Sequence, residues 1–252
     1  MIIKLQVVAT DEVIELNATS LVLAGFSGRS AQAVADHVWE LSLIGVGAPA
    51  SVPTFWSIEP DLLRPCANIV APPERTSGEI EYVLVRSAGR WFVGVGSDHH
   101  DKVIERESFE ESKRAQPKLI GPSVIPLEEA MASWDDIELR CLAKNGDGQW
   151  VTFQGGRLIE LITPDDLLEG ARRRWPDAVD VDGSVIFSGT IPLVNPEQWV
   201  GHAYPMAYRL LLVAPSGVRL EGEYSITGAS VDQGLHRRAR QPSTTETHRD
   251  GK

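Results

Sequence analysis

Gly78-Glu79-Ile80-Glu81-Tyr82 is the sharpest local pattern in the chain. On a strand, positions i and i+2 share a face, so Glu79 and Glu81 present two carboxylates side by side. Bare, they repel each other. A shared hard cation removes the repulsion and takes oxygen ligands from both. Alone, an E-x-E strand reads first as an exposed strand face. Further on, Gly96-Ser97-Asp98-His99-His100-Asp101 follows a buried-looking strand, and loops held by a rigid scaffold are where ligand-bearing residues are placed. Asp98 supplies a third carboxylate. Three oxygen ligands with open positions suit Mg2+ or Mn2+ better than Zn2+. A zinc site of Asp98, His99 and His100 ranks lower, because adjacent histidines on an extended segment point to opposite sides. A solvated Asp/His turn is the third reading.

Three other groups carry chemistry. His37 and Glu40 stand at i and i+3 of a helical segment, close enough to touch. A carboxylate beside an imidazole orients it and raises its basicity, as activation of a water requires. The same pair also reads as a surface hydrogen bond. Lys118 lies in the apolar, proline-framed run Gln116 to Pro122, where it pairs with substrate oxygens or a ligand carboxylate, or snorkels from a strand edge. The segment from Asp182 to Thr190 is a strand ending in a glycine turn. Its N–H groups, with Gly189 and the Thr190 hydroxyl, receive an anionic oxygen or merely turn a corner.

The elements that position these residues follow from periodicity. Ile3-Leu5-Val7 alternates with polar residues, Thr10-Asp11-Glu12 supplies a turn and Val13-Glu15 resumes the extended pattern, which predicts a hairpin. Ser30 caps a helix over about Ala31 to Leu43, closed by Gly45 and Gly47. Strands are expected at Thr54-Trp56, Ala67-Val70, Ile80-Leu84 and Trp91-Val95, with a hairpin turn at Ser87 to Arg90. A charged stretch from Asp101 to Lys113 reads as a solvated helix or loop. A second group of strands falls at Ile137-Cys141, Trp150-Phe153, Val185-Phe187 and Arg209-Val213. Between them lies a helix with Thr163 as cap, Pro164 in its first turn and Asp165-Asp166 on its dipole. The expected class is β-rich α+β. Residues 1–65 are read as a small N-terminal region with hairpin and lid helix, 66–235 as the β-rich metal-binding domain, and 236–252 as a disordered tail poor in apolar residues.

Composition limits the partners. In 252 residues, 35 acidic side chains face 24 basic ones, a formal charge of −11, so a nucleic acid gripped through its phosphates is excluded by the field of the whole protein. No stretch approaches the roughly 18 apolar residues that span a bilayer, and acids come too early for a secretory leader. Cys66 and Cys141 suggest neither a disulfide framework nor a zinc ribbon. A cytoplasmic protein without membrane or nucleic-acid partner is the expectation.

In this order, the segments resemble the fumarylacetoacetate hydrolase superfamily. Ala35 to Glu40 resembles its lid helix, whose H-x-x-E pair activates water. Gly78 to Glu81 resembles its E-x-E metal pair, and Ser97-Asp98 with His99 to Lys102 its N-D-x-(S/T)-x-R-D segment, whose first Asp completes the site. Lys118 before Gly121-Pro122 resembles the lysine at the substrate's oxo-acid end. Gly183 to Thr190 resembles the G-D-x-I-x-T-G-T-P loop, whose last threonine holds a substrate carboxylate. The resemblance spans roughly Ala24 to Thr190. It implies a mixed β-roll core with a small N-terminal domain, in many members a homodimer, and Mg2+ (or Mn2+) chelating a 2-oxo acid. Glu79, Glu81 and Asp98 are then metal ligands, Lys118 and Thr190 position substrate, and His37 with Glu40 deprotonates water. The usual N-Y before the lid histidine is missing, with Arg29 a replacement carboxylate contact, and the aromatic-rich substrate insert is replaced by charged Glu105 to Arg114. The implied activity is hydrolysis of a C–C bond in an acylpyruvate-like diketo acid. The alternatives are hydration or decarboxylation of a 2-oxo acid, or a non-catalytic protein binding metal or a sugar acid.

Overall fold

The computed structural model describes residues 1–32, 34–35, 38–39, 49, 51–196, 199 and 204–228. The first sixty-five residues supply β1 (Ile2–Val7), β2 (Val13–Asn17), β3 (Ser20–Gly25), β4 (Thr54–Ile58) and β5 (Leu63–Pro65). Then come β6 (Asn68–Ala71), β7 (Thr76–Ser77), β8 (Ile80–Ser87), β9 (Arg90–Asp98) and β10 (His100–Asp101). Helix α1 (Phe109–Arg114) leads into β11 (Lys118–Pro126) and α2 (Leu127–Met131). The remainder is β12 (Glu138–Lys144), β13 (Trp150–Arg157), α3 (Pro164–Arg174), α4 (Pro176–Val179), β14 (Ser184–Phe187), β15 (Ala207–Val213) and β16 (Arg219–Gly228).

Local chemistry explains the joints. β8 and β9 are an antiparallel hairpin whose two-residue turn, Ala88 and Gly89, takes positive φ of 48° and 74°, as the right-handed strand twist requires. The Thr163 hydroxyl accepts from the Asp166 N–H and Pro164 opens α3, the expected cap. The Val34 N–H donates to the Ser30 carbonyl, a first helical bond where the helix start is expected. The expected strand pattern holds at β1, β2, β4, β6, β8, β9, β12, β13, β14 and β15. Additional to it are β3, β5, β7, β10, β11 and β16; β16 lies between β15 and β6, and its alternating burial marks a strand with one covered face. The Asp101–Lys113 stretch is not wholly solvated. A 3-10 turn at Ile104–Arg106 and α1 fold it back, and Ser112 and Lys113 are buried.

Nine strands form one mixed sheet, ordered β2-β1-β11-β9-β8-β14-β3-β4 with β5 alongside β11. Strands from residues 1–65 and from 66–235 share it: β1 runs parallel to β11, and β3 parallel to β14. The sheet curls into a half-barrel, and a core of Leu5, Leu23, Val83, Val85, Phe92, Ile120 and Phe187, all from its own strands, fills its inner face. The outer face carries Val22, Ile80, Tyr82, Leu84, Val93 and Val95. These pack on the five-stranded sheet β13-β12-β15-β16-β6 and on α3. Because both faces of β8 are covered, Ile80 to Val85 is a continuous buried run rather than an alternating one. No described helix is long and apolar enough to cross a membrane.

Candidate metal centre

Strand alternation decides which way the acids point. On β8, Ile80, Tyr82 and Leu84 face the outer core, so Glu81 shares the inner face with Val83 and Val85. On β9, Asp98 continues the inner row begun by Phe92, while Ser97 turns outward to meet the Tyr224 hydroxyl at 3.0 Å. Glu81 stands opposite Gly96 and Ile80 opposite Ser97. The Asp98 N–H reaches the Glu79 carbonyl at 2.9 Å, tying the two chain ends together. The result is three carboxylates, Glu79, Glu81 and Asp98, each offering an oxygen within 4.8 Å of the others'. Gly78 belongs to this construction, since a Cβ there would lie 1.9 Å from the Tyr224 hydroxyl oxygen.

Cations surround the trio. Asp98 is fully buried and holds an ammonium on each oxygen, Lys118 at 2.7 Å on Oδ1 and Lys113 on Oδ2. Lys118 stands opposite Asp98 in the β9–β11 ladder and also donates to the His99 carbonyl at 2.7 Å. Lys102 bridges Glu79 at 2.9 Å and Glu105 at 3.1 Å, and Nε2 of buried His100 lies 3.1 Å from Glu105 and 3.7 Å from Glu79. His99 points the other way, edge-on to Tyr208 and Tyr224. The two histidines therefore do diverge, and the Asp98–His99–His100 zinc arrangement has no shared centre.

The environments drive the carboxyls apart. Burial and neighbouring Asp98 push Glu81 well above the ordinary carboxylate range, although Lys113 and the Gly189 N–H oppose this. Burial works against charge at Asp98 too, but Lys113, Lys118 and His100 hold it far below its usual value. Glu79 is also lowered: burial is outweighed by Lys102 and His100. Burial pulls the Lys118 ammonium down despite Asp98, and burial with the nearby cations pushes His99 down to about 3, so it is neutral. Burial first, and then the like charge of Asp98, keep the Glu81 carboxyl from ionising against the pull of Lys113, and a cation bound beside it would oppose both. The donor set, all hard carboxylate oxygens from two adjacent strands, fits Mg2+ or Mn2+.

The Gly189–Thr190 turn receives a carboxyl oxygen of the protein itself. The Gly189 N–H donates to Glu81 Oε2 at 2.8 Å, with Gly189 at φ 85° and no room for a Cβ beside Ser27. The Thr190 hydroxyl donates to the Ile80 carbonyl at 2.8 Å and accepts from Gln154, whose own Oε1 takes the Ile80 N–H at 2.9 Å. This loop clamps the base of β8 and thereby aims Glu81. Arg29 is engaged elsewhere: its guanidinium pairs with Asp135 at 2.8 Å and donates to the Leu161 and Leu158 carbonyls. His37 and Glu40 lie outside the described residues. Two shallow surface hollows, at Met1–Arg64 and at Leu62–Pro117, lie away from the carboxylates.

Sequence reasoning missed Lys113, Lys102, Glu105 and Gln154. The charged run conceals Lys113. The available signal is Ser108 as an N-cap, whose hydroxyl accepts from the Glu111 N–H, which sets a helix phase that brings Phe109 and Lys113 to one face.

A sequence model of the family described as "protein of unknown function (DUF2848)" matches residues 24–219. The chain belongs to that family. No curated protein matches the sequence of this DUF2848 chain. Among solved structures it is similar to fumarylacetoacetate hydrolase from the psychrophile Exiguobacterium antarcticum, at 13% identity and a TM-score of 0.59 over 87% of this chain and 80% of that one. A 2-keto-3-deoxyarabinonate dehydratase matches at 13% identity and 0.59 over 87% and 78%. The fold of this DUF2848 chain is that of the fumarylacetoacetate hydrolase superfamily, β-rich as expected, with its main sheet curled into a half-barrel.

Proposed function

We propose that the protein is a divalent-metal-dependent hydrolase that cleaves a carbon–carbon bond in an acylpyruvate-like diketo acid. The observation that supports it best is the meeting of Glu79, Glu81 and Asp98 on one face, with Glu81 held short of a cation's charge. A bound Mg2+ or Mn2+ supplies Lewis acidity and a template for the two oxygens of a 2-oxo acid. The chain's own groups do the rest. Lys118, pinned between Asp98 and the His99 carbonyl, fixes the orientation of Asp98. Lys113 reaches the same carboxylate from the side of α1, and its ammonium is the group assigned here to a substrate carboxylate. Thr190 and Gly189 hold the strand end that carries Glu81. His37, oriented by Glu40, takes a proton from water. The hydroxide adds to the acyl carbon, the C–C bond breaks, and the proton ends on the methyl carbon of the released 2-oxo acid.

The fold is shared by proteins described as a hydrolase and as a dehydratase, so the choice of hydrolysis rests on the His37/Glu40 pair. The deciding experiment is a screen of acylpyruvates and oxaloacetate with Mg2+ and Mn2+. Acylpyruvate turnover that needs metal and falls roughly 10²–10⁴-fold in His37→Ala, the scale of general-base catalysis, with metal binding retained, supports the reading. Turnover confined to oxaloacetate makes the protein a lyase, and metal binding without turnover makes it a binding protein. The homodimer implied by the resemblance is read by sedimentation of the full chain.

A further inference from the structure

Two ammoniums of different standing hold Asp98. Lys118 is fully buried on β11, 2.7 Å from Asp98 Oδ1 and 2.7 Å from the His99 carbonyl, so its charge is tied on two sides. Lys113 comes from α1 and holds Oδ2, and among the described residues that carboxylate is its one hydrogen-bond acceptor. The backbone on either side of it is anchored. The Ser112 hydroxyl donates to the Asp101 carbonyl at 2.6 Å, and the Arg114 guanidinium pairs with Glu59 and donates to the Ser57 carbonyl at 2.7 Å. What is left to move is the Lys113 side chain, an ammonium on a flexible four-carbon stem.

A divalent ion among Glu79, Glu81 and Asp98 takes an oxygen from each. At Asp98 the oxygen not committed to Lys118 is Oδ2, the one that Lys113 holds. The Lys113 charge reaches the whole trio, since it also draws Glu79 and Glu81 toward ionisation. Charge decides whether it stays. Counting carboxylates and ammoniums alone, Lys102 and Glu105 offset each other, and Lys113 with Lys118 leaves the three ionised acids one negative charge in excess. A divalent ion added to both ammoniums turns that excess positive, whereas with Lys113 withdrawn the group is neutral. Uncompensated charge away from water is expensive. The ammonium has a second place to rest: it lies 5.3 Å from the centre of the half-buried Trp56 ring, within the range of a cation–π contact.

We propose that Lys113 is a tethered cation that competes with the divalent ion for Oδ2 of Asp98, and that it gives up this oxygen for the face of Trp56 when the ion binds. The inference rests on the metal reading above and deepens it. The ammonium assigned to a substrate carboxylate is released from Asp98 by the metal, so metal binding precedes substrate binding. A lysine that served only to hold Asp98 in place has the opposite signature, because its loss weakens the metal.

The test is calorimetric titration of Mg2+ into the full chain, into Lys113→Met and into the charge-keeping Lys113→Arg. One charge within about 4–6 Å changes a carboxylate's proton affinity by roughly 1–3 pKa units, so Lys113→Met should bind Mg2+ roughly tenfold or more tighter than the unaltered protein. Lys113→Arg should stay close to the unaltered value. Equal or weaker binding in Lys113→Met overturns the displacement. A second measurement leaves Lys113 in place. Mg2+ added to the unaltered protein should change its tryptophan emission, and Trp56→Phe should bind Mg2+ without that change. A signal that survives in Trp56→Phe, or no signal from an unaltered protein that binds Mg2+, overturns the displacement alone. If neither the unaltered protein nor Lys113→Met binds Mg2+, the metal reading falls and the displacement falls with it.

Discussion

Glu81 is the residue at which the electrostatics of the centre can be read most directly. Burial and Asp98 raise its carboxyl well above the ordinary 4.5. Above pH 4.5 the unfolded chain releases this proton while the folded, metal-free chain keeps it. Metal-free stability therefore falls as pH rises from about 4.5 through the raised value. Glu81→Gln should flatten that slope in thermal melts and abolish Mg2+ binding in calorimetry; an unchanged isotherm removes Glu81 from the site. Asp98 acts in the opposite sense. Its lowered carboxyl contributes stability that is present above 3.8 and lost as pH falls below it. Lys113→Met leaves one oxygen of buried Asp98 uncompensated, a change that costs about 3–5 kcal/mol in buried pairs. Its melting temperature should drop by roughly 6–20 °C, using about 2–4 °C per kcal/mol for a chain of this size, and added Mg2+ should recover more of that loss than it adds to the unaltered protein. A drop insensitive to Mg2+ would separate Lys113 from the centre.

The elements show how a β-scaffold delivers such residues. β8 and β9 are a hairpin with a tight two-residue turn, so the acids at their far ends, Glu79 and Asp98, are brought side by side by register rather than by a loop. β11 adds Lys118 across from Asp98 by the same means. The 188–190 turn is the weak point, because Gly189 adopts φ 85° against Ser27. Gly189→Ala should cost about 1–3 kcal/mol and weaken metal affinity, since the N–H that fixes Glu81 moves. Normal Mg2+ binding in a folded Gly189→Ala protein would show that this turn has no part in aiming Glu81.

At the scale of the whole molecule, the half-barrel buries more carboxyl groups than ammoniums, and burial holds Glu81 back from ionising unless a cation binds beside it. Four carboxylates, Glu79, Glu81, Asp98 and Glu105, face three ammoniums, Lys102, Lys113 and Lys118. A divalent ion that binds only the folded chain stabilises it by about 2.7 kcal/mol at a hundred times its Kd. The melting temperature should then rise by roughly 5–10 °C with Mg2+ or Mn2+, and a chelator should reverse the rise. A melting temperature indifferent to both ions would leave the carboxylates as a purely structural cluster.

Period-two alternation put Glu79 and Glu81 on one face, and turn and cap residues located the β8–β9 hairpin and α3. Those are short-range effects, written in neighbouring residues, and the motif order carried the family resemblance. Which face of β8 is inward, and that Asp98 lies in the same row, depended on how β11, β14 and β3 pair across the sheet. Lys113 was hidden among exposed charges because its burial comes from α1 packing near Trp56, a contact between residues far apart in the chain. Arg29 and the 189–190 turn looked free to meet a substrate. Tertiary contacts engage Arg29 with Asp135 and the turn with Glu81, because buried donors and acceptors are satisfied by whatever the fold brings to them.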